Sequence, residues 1–248
     1  MSKEKAYKLL ALQENISNRA AKDLIDRGLV YSGGRKITVA RGELDAKTKF
    51  KVNEIKKAKK IFEDENIIAV DKPAFLNTEE LVSSYEDATL LHRLDRETSG
   101  VLLFSKNEEF HKKAVEAFKN KEVKKEYIAI VSGVFVEPIT INMPLVTIKK
   151  GNSAYAKISL LKGKEAISHV EPLMVEGKIS KVKVTIETGR THQIRAHLKS
   201  ANMSIIGDTL YGGKPSARIM LHAHKISLLG YEFKSEEPKE FIKMMQRD

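Results

Sequence analysis

Apolar residues in this chain come in short bursts. Ile67–Val70 and Val101–Phe104 are runs of four, long enough for a buried strand and far too short to cross a bilayer. Val182, Val184 and Ile186 alternate with polar residues, the period of a half-buried strand. Asn66–Asp71, Gly100–Ser105, Glu126–Phe135 and Lys181–Thr188 therefore read as strands. Helical spacing is sparser, as in Glu108–Lys119, where Phe110, Ala114, Ala117 and Phe118 share a face. Strand-rich segments with few helices between them predict an α+β fold around a mixed or antiparallel sheet.

Charge divides the chain. Of its 248 residues, 44 are Lys or Arg and 33 are Asp or Glu, a net charge of +11. Residues 1–60 hold 16 basic and 7 acidic side chains, hence +9, whereas residues 61–248 hold 28 and 26, hence +2. A basic module on a nearly neutral body predicts a polyanion-binding attachment. A solvated lysine-rich face is the plain alternative, and charge alone does not separate the two. The expected organisation is a module over 1–52, a basic linker over 53–60 containing Lys56-Lys57-Ala58-Lys59-Lys60, and a body over 61–248. With no cysteine, disulfides, thiolate metal sites, iron–sulfur clusters and cysteine nucleophiles are excluded. Met1–Leu10 is charged from Lys3 onward and lacks the apolar core of a secretory leader, so a cytoplasmic protein without membrane attachment is expected.

Within the module, Ser17 caps a helix in which Ala20, Ala21, Leu24 and Ile25 recur at helical spacing, and Gly28 stops it. Arg19, Lys22 and Arg27 lie around that helix, off its apolar stripe. Leu29–Tyr31, the turn Ser32-Gly33-Gly34 and Ile37–Ala40 then read as strand, turn, strand. The stretch resembles the alpha-L RNA-binding domain through Ile16–Ile25, Gly28-Leu29-Val30, Gly34 and Val52.

Two polar stretches carry chemistry. His92-Arg93-Leu94-Asp95-Arg96-Glu97 precedes the strand beginning at Gly100, a rigid place to mount polar side chains. Asp95 is a candidate nucleophile or base there and Arg93 a phosphate or base contact, while a surface loop laced with ion pairs is the plainer reading. Gly189-Arg190-Thr191-His192-Gln193-Ile194-Arg195 follows a strand and opens a helix. Ile194, Leu198 and Ala201 face its core, and His192, Arg195 and Lys199 form a polar stripe. An Arg beside a helix N-terminus suits an anion, whether a phosphate or an enzyme carboxylate. The pairs His192/His197 and His222/His224 match no zinc-ligand spacing, so no metal is expected.

His92-Arg93-Leu94-Asp95 with Thr98-Ser99-Gly100, then Gly189–Arg195, resembles the RluA family of RNA pseudouridine synthases. Val70-Asp71-Lys72-Pro73, Lys125-Glu126-Tyr127, Gly207-Asp208-Thr209-Leu210-Tyr211-Gly212 and His222-Ala223 agree with it in order. The likeness covers about residues 61–230, and the amino-terminal module matches a common attachment in that family. It implies an isomerase that needs no metal or cofactor, with Asp95 as the carboxylate at the sugar. Asp95 would either attack the anomeric carbon or remove the proton of ribose carbon 2. Arg195 would pair with Asp95 and orient it, and Tyr127 would stack on the flipped uracil. Arg93, Arg19, Lys22, Arg27, Lys125 and Arg190 would contact RNA, and His92 would be structural. The expected partner is RNA, ribosomal before transfer RNA, with a monomer as the default. One departure stands out. The family follows Lys-Pro with a small residue, a glycine and later a histidine, whereas this chain reads Ala74-Phe75-Leu76-Asn77-Thr78.

Two rivals are weighed. A non-catalytic RNA-binding or ribosome assembly factor would erode the reaction residues, yet Asp95, Tyr127 and Arg195 all stand. A hydrolase would require a second carboxylate, and Glu97 is the nearest in sequence.

Overall fold

The computed structural model describes residues 2–150 and 153–246. It forms two compact units, Met1–Lys56 and Lys57–Asp248.

In the first unit, helices Ala6–Glu14 and Asn18–Asp26 pack through Ala6, Leu10, Ala21 and Ile25. The Ser17 hydroxyl accepts from Ala20 N–H at 3.1 Å, satisfying a donor that the first helical turn leaves open. Gly28 takes φ +73 and ends the helix. Val30–Ser32 is the central strand of three, between Arg35–Lys36 and Lys51–Val52. The hairpin is shorter than its sequence pattern. Its return strand is Arg35–Lys36, and Ile37–Ala40 leaves the sheet, because Ile37 and Ala40 turn into the helical core.

The second unit is built on a ten-stranded mixed sheet. One half runs Ile139–Asn142, Ile167–Glu176, Ile179–Ile186, Lys124–Ser132, Leu221–Leu228 in spatial order, and the other runs Ser99–Ser105, Ile67–Lys72, Lys59–Glu63. All neighbours in this order are antiparallel except where the halves join. There Leu221–Leu228 and Ser99–Ser105 run parallel for two residue pairs, His222 with Ser99 and Ala223 with Gly100. The strands then separate, and Tyr231–Lys234 and Thr89–Leu90 pair with their diverging ends.

Helix Glu108–Lys119 lays Phe110, Ala114 and Ala117 on one face of the second half, against Ile67, Ala69, Val101 and Leu103. The opposite face, Ile68, Val70, Leu102 and Phe104, is covered by Leu81 and Leu94 from the segment 73–98. Alternation within the strands thus places a helix on one side and the candidate loop on the other. Lys59 and Lys60 belong to the edge strand Lys59–Glu63, so the basic run enters the sheet rather than ending as linker. Exposed lysines suit an edge strand, whose open backbone groups they keep from pairing with other chains. Among the described residues no helix is long and apolar enough to cross a membrane.

Candidate active site

The site forms where the two sheet halves join. Strand registers place Lys72 beside Gly100, Gly100 beside Ala223, and Ala223 beside Tyr127. A side chain at Gly100 would put its Cβ 2.1 Å from Ala223 O, and the residue has φ +118. Only glycine lets the parallel strands approach this closely. A bulge between Glu126 and Tyr127 re-aims the tyrosine at the end of the row.

Asp95 sits immediately before that junction, and its loop is tied on both sides. Upstream, the buried Thr78 hydroxyl donates to Leu94 O at 2.9 Å and accepts from Leu94 N–H at 3.3 Å. Downstream, Arg96 O accepts from Phe75 N–H at 2.7 Å and from Lys72 Nζ at 3.2 Å. The ammonium of Lys72, wholly buried, also donates to Leu76 O and Pro73 O, at 2.8 and 3.1 Å. Burial pushes Lys72 down to about 7, against the charges of Glu97 and Asp95. The atypical segment after Pro73 is therefore the mount of the Asp95 loop. Phe75 takes φ +72 at the position where the family pattern has glycine, and Thr78 clamps Leu94.

Arg195 comes from helix Gln193–Ser200, whose Ile194 and Leu198 are buried in the main core. Arg195 is 4% exposed, and its guanidinium forks onto Asp208, Nε to Oδ2 at 2.7 Å and Nη2 to Oδ1 at 2.8 Å. The remaining corner, Nη1, reaches Asp95 Oδ2 at 3.4 Å and His192 Nε2 at 3.0 Å. Burial opposes its charge, but Asp208 and then Asp95 outweigh that and raise its pKa. The anion at this helix start is thus a pair of enzyme carboxylates. Asp208, itself 1% exposed, is the stronger partner and was given no role by the sequence. Its cue was its place in the Gly207–Gly212 stretch, which carries the family resemblance without assigning the acid a role.

His192, at φ +49, must accept from Arg195 at Nε2, so its proton lies on Nδ1 and points to Tyr211 Oη at 3.2 Å. Tyr211 in turn accepts from Ala156 N–H and donates to Ala156 O, at 2.8 and 3.2 Å. Every hydrogen of this chain is placed, and it fixes the edge of Arg195 that faces Asp95.

Tyr127 is half-buried on the same side as Val70 and Leu102. Burial raises its phenol, and the charge of Asp95 raises it further, so it stays a neutral ring. Burial also pushes Glu97 upward, but Arg96 and Arg195 prevail and hold its carboxyl below the usual range. Glu97 pairs with Arg96 at 3.0 Å. A carboxylate held ionised is unsuited to protonating a leaving group, which removes the hydrolase reading's second acid.

The expected RNA contacts are scattered in circumstance. Arg93 is exposed and paired with Glu79 at 2.7 Å. Lys125 is pushed down to about 8 by burial and by the neighbouring charge of Arg190, and Arg190 Nε donates to Glu165 O at 2.9 Å. Arg19 is exposed, Lys22 lies over the Tyr7 ring at 4.2 Å, and Arg27 pairs with Asp23 at 2.7 Å. His92 stacks near Phe118 at 5.9 Å and is pushed down to about 4, by burial and then by Lys125. His197, His222 and His224 are held by hydrogen bonds. His197 contacts Ser168 Oγ and Met143 O. His222 Nε2 and His224 Nδ1 both donate to Ser235 O.

A family model described as RNA pseudouridylate synthase matches residues 66–200. A Helicobacter pylori (strain J99) protein named as an uncharacterized RNA pseudouridine synthase is 57% identical, over 96% of this chain and 99% of its own. The ribosomal large subunit pseudouridine synthase D of Borreliella burgdorferi is 31% identical over 73% of this chain and 66% of its own. Synthase C of Rickettsia felis is 37% identical over 71% and 66%. The solved human RNA pseudouridylate synthase domain containing 1 shares the fold, with a TM-score of 0.65 at 22% identity, covering 79% of this chain and 89% of that one. These matches place the chain among enzymes that isomerise uridine in RNA. It belongs to the RNA pseudouridylate synthase family and, within it, to the RluA-type synthases.

Proposed function

We propose that this synthase acts on large-subunit ribosomal RNA and that Asp95 is its essential carboxylate. The observation that carries the assignment is the Asp95–Arg195 contact of 3.4 Å, with Arg195 itself locked by Asp208. A carboxylate held at a fixed place beside an immobile cation is pre-organised for work at a sugar carbon. The reaction breaks the bond between uracil N1 and ribose carbon 1, and joins carbon 5 to that carbon. Carbon 5 loses its proton and N1 regains one, so no electrons are gained or lost. Attack at carbon 1 and proton removal from carbon 2 both require the Asp95 carboxylate at the sugar. Tyr127 stacks on the turned base as a neutral ring.

Arg93 exchanges Glu79 for RNA at little cost, because exposed ion pairs contribute about 0–1 kcal/mol. Residues 1–52, read as an alpha-L-type RNA-binding module, add salt-dependent affinity through their excess charge, joined by Lys125 and Arg190 in the body. The choice of ribosomal RNA rests on relatives named as large-subunit synthases.

The test is tritium release from RNA carrying uridine labelled at carbon 5, comparing wild type with Asp95→Asn on ribosomal and transfer RNA. Wild type should release tritium from ribosomal RNA, and Asp95→Asn should release none while binding RNA normally. Turnover by the variant would sink the role of Asp95, and release from transfer RNA alone would overturn the substrate.

A further inference from the structure

The central strand of the first unit carries Tyr31 between two lysines. Cross-strand pairing sets Lys36 opposite Tyr31 on one side and Lys51 opposite it on the other, so the three side chains project from one face. Lys36 Nζ stands 5.9 Å from the Tyr31 ring centroid. Tyr31 and Lys51 of this row line a cavity of about 400 Å³, to which Phe50, Lys49 and the Gly33-Gly34 turn also contribute. Among the described residues no carboxylate lines it.

Its parts fit one ligand chemistry. Phe50 is 8% exposed, and its backbone is pinned by Gln13, which accepts from Phe50 N–H at 2.9 Å and donates to Phe50 O at 2.8 Å. The wall is therefore rigid. Burial raises the Tyr31 phenol, leaving an uncharged ring. Gly33 and Gly34 take φ +53 and +76 with nothing within 4 Å of where a Cβ would stand, so the turn exposes bare backbone. The cavity falls in the size range of small-molecule sites. An aromatic platform lined by ammonium groups suits a base that stacks and phosphates that pair.

We propose that this face binds one unpaired nucleotide of the RNA, its base on Tyr31 and its flanking phosphates at Lys49 and Lys51. The proposal rests on the RNA-substrate reading above and adds to it a preference for single-stranded RNA. None of the basic residues of helix Asn18–Asp26 lines this cavity.

The experiment uses the full chain and fluorescence anisotropy with a labelled single-stranded oligouridylate and an RNA duplex of equal phosphate number. Tyr31→Ala should weaken oligouridylate binding roughly 5- to 150-fold, the factor one stacked base carries, and leave duplex binding unchanged. Tyr31→Phe should bind like wild type. Lys51→Gln should lower the slope of log affinity against log salt by about one. Unchanged oligouridylate affinity in Tyr31→Ala would overturn the site, as would an equal loss on duplex. Crosslinking wild type to a 4-thiouridine oligomer keeps the question open to refutation should Tyr31→Ala fold poorly. Adducts should map within residues 31–53, and adducts only elsewhere would refute the proposal. Failure here leaves tritium release by wild type intact, whereas failure of the synthase substrate reading abolishes that release.

Discussion

Replacing Thr78 by valine tests whether the segment after Pro73 mounts the Asp95 loop. Valine matches threonine in shape and removes the hydroxyl alone. Leu94 N–H and C=O, at 3.3 and 2.9 Å from that hydroxyl, are then left beside an apolar group. The cost of an unsatisfied buried backbone group is about 1–3 kcal/mol, and the longer of the two bonds is the weaker. A total near 2–3 kcal/mol follows if the loop stays in place. Leu94 is 7% exposed and Arg96 O keeps its bonds to Lys72 and Phe75, so the chain relaxes locally rather than detaching. Asp95 is the next residue, and a shift on the order of 1 Å at a reacting group lowers the rate about 100-fold. Tritium-release kinetics should show kcat reduced about 10- to 100-fold with KM changed less than about 3-fold, because of the proposed RNA contacts only Arg93 adjoins this loop. Urea unfolding should register the destabilisation. Thr78→Ser keeps the hydroxyl, loses a methyl at about 1 kcal/mol, and should retain most of kcat. Wild-type kcat in Thr78→Val would refute the reasoning, and Thr78→Ser failing as badly as valine would show that packing, not the hydroxyl, matters.

Other outcomes follow from the same geometry. Asp208→Asn leaves the buried Arg195 with its fork half-answered. It should cost about 3–5 kcal/mol and lower kcat with RNA binding retained, and a stability unchanged in urea would contradict it. His222 is 1% exposed, donates from Nε2 to Ser235 O, and accepts at Nδ1 from Ser99, whose oxygen takes Arg218 Nη2 at 2.7 Å. Burial holds it down to about 4 against an ordinary 6.5, so the unfolded chain binds the proton first. The stability it contributes is complete above pH 6.5 and drains as pH falls toward 4, on the order of 3 kcal/mol in all. His222→Gln should flatten the urea midpoint against pH across that window, and an identical slope in both proteins would count against a neutral His222.

What the sequence disclosed and what it concealed divide by the range of the interaction. Ser17 capping Ala20, helix Glu108–Lys119 and the alternation of Val182, Val184 and Ile186 are settled within a few residues, and all appear as read. Ile37–Ala40 has a strand's composition, but the hairpin ends once its residues find the helical core, a tertiary contest that no local pattern records. Asp95 and Arg195, a hundred positions apart, were paired beforehand by resemblance alone. Asp208 escaped because any of several acids could meet Arg195, and only the turn after Ile206 selects it. Lys72 escaped for a deeper reason. A lysine ending a buried strand ordinarily turns to solvent, and this one stays inside because Pro73, Leu76 and Arg96 aim three carbonyls at one point. Those carbonyls converge because the segment from Pro73 folds back under the Asp95 loop, and it folds back because Phe75 and Thr78 are tied to Arg96 and Leu94. The residues that looked like a lapse from the family pattern are thus the ones that make a buried cation tolerable, and through it hold the carboxylate loop against the sheet.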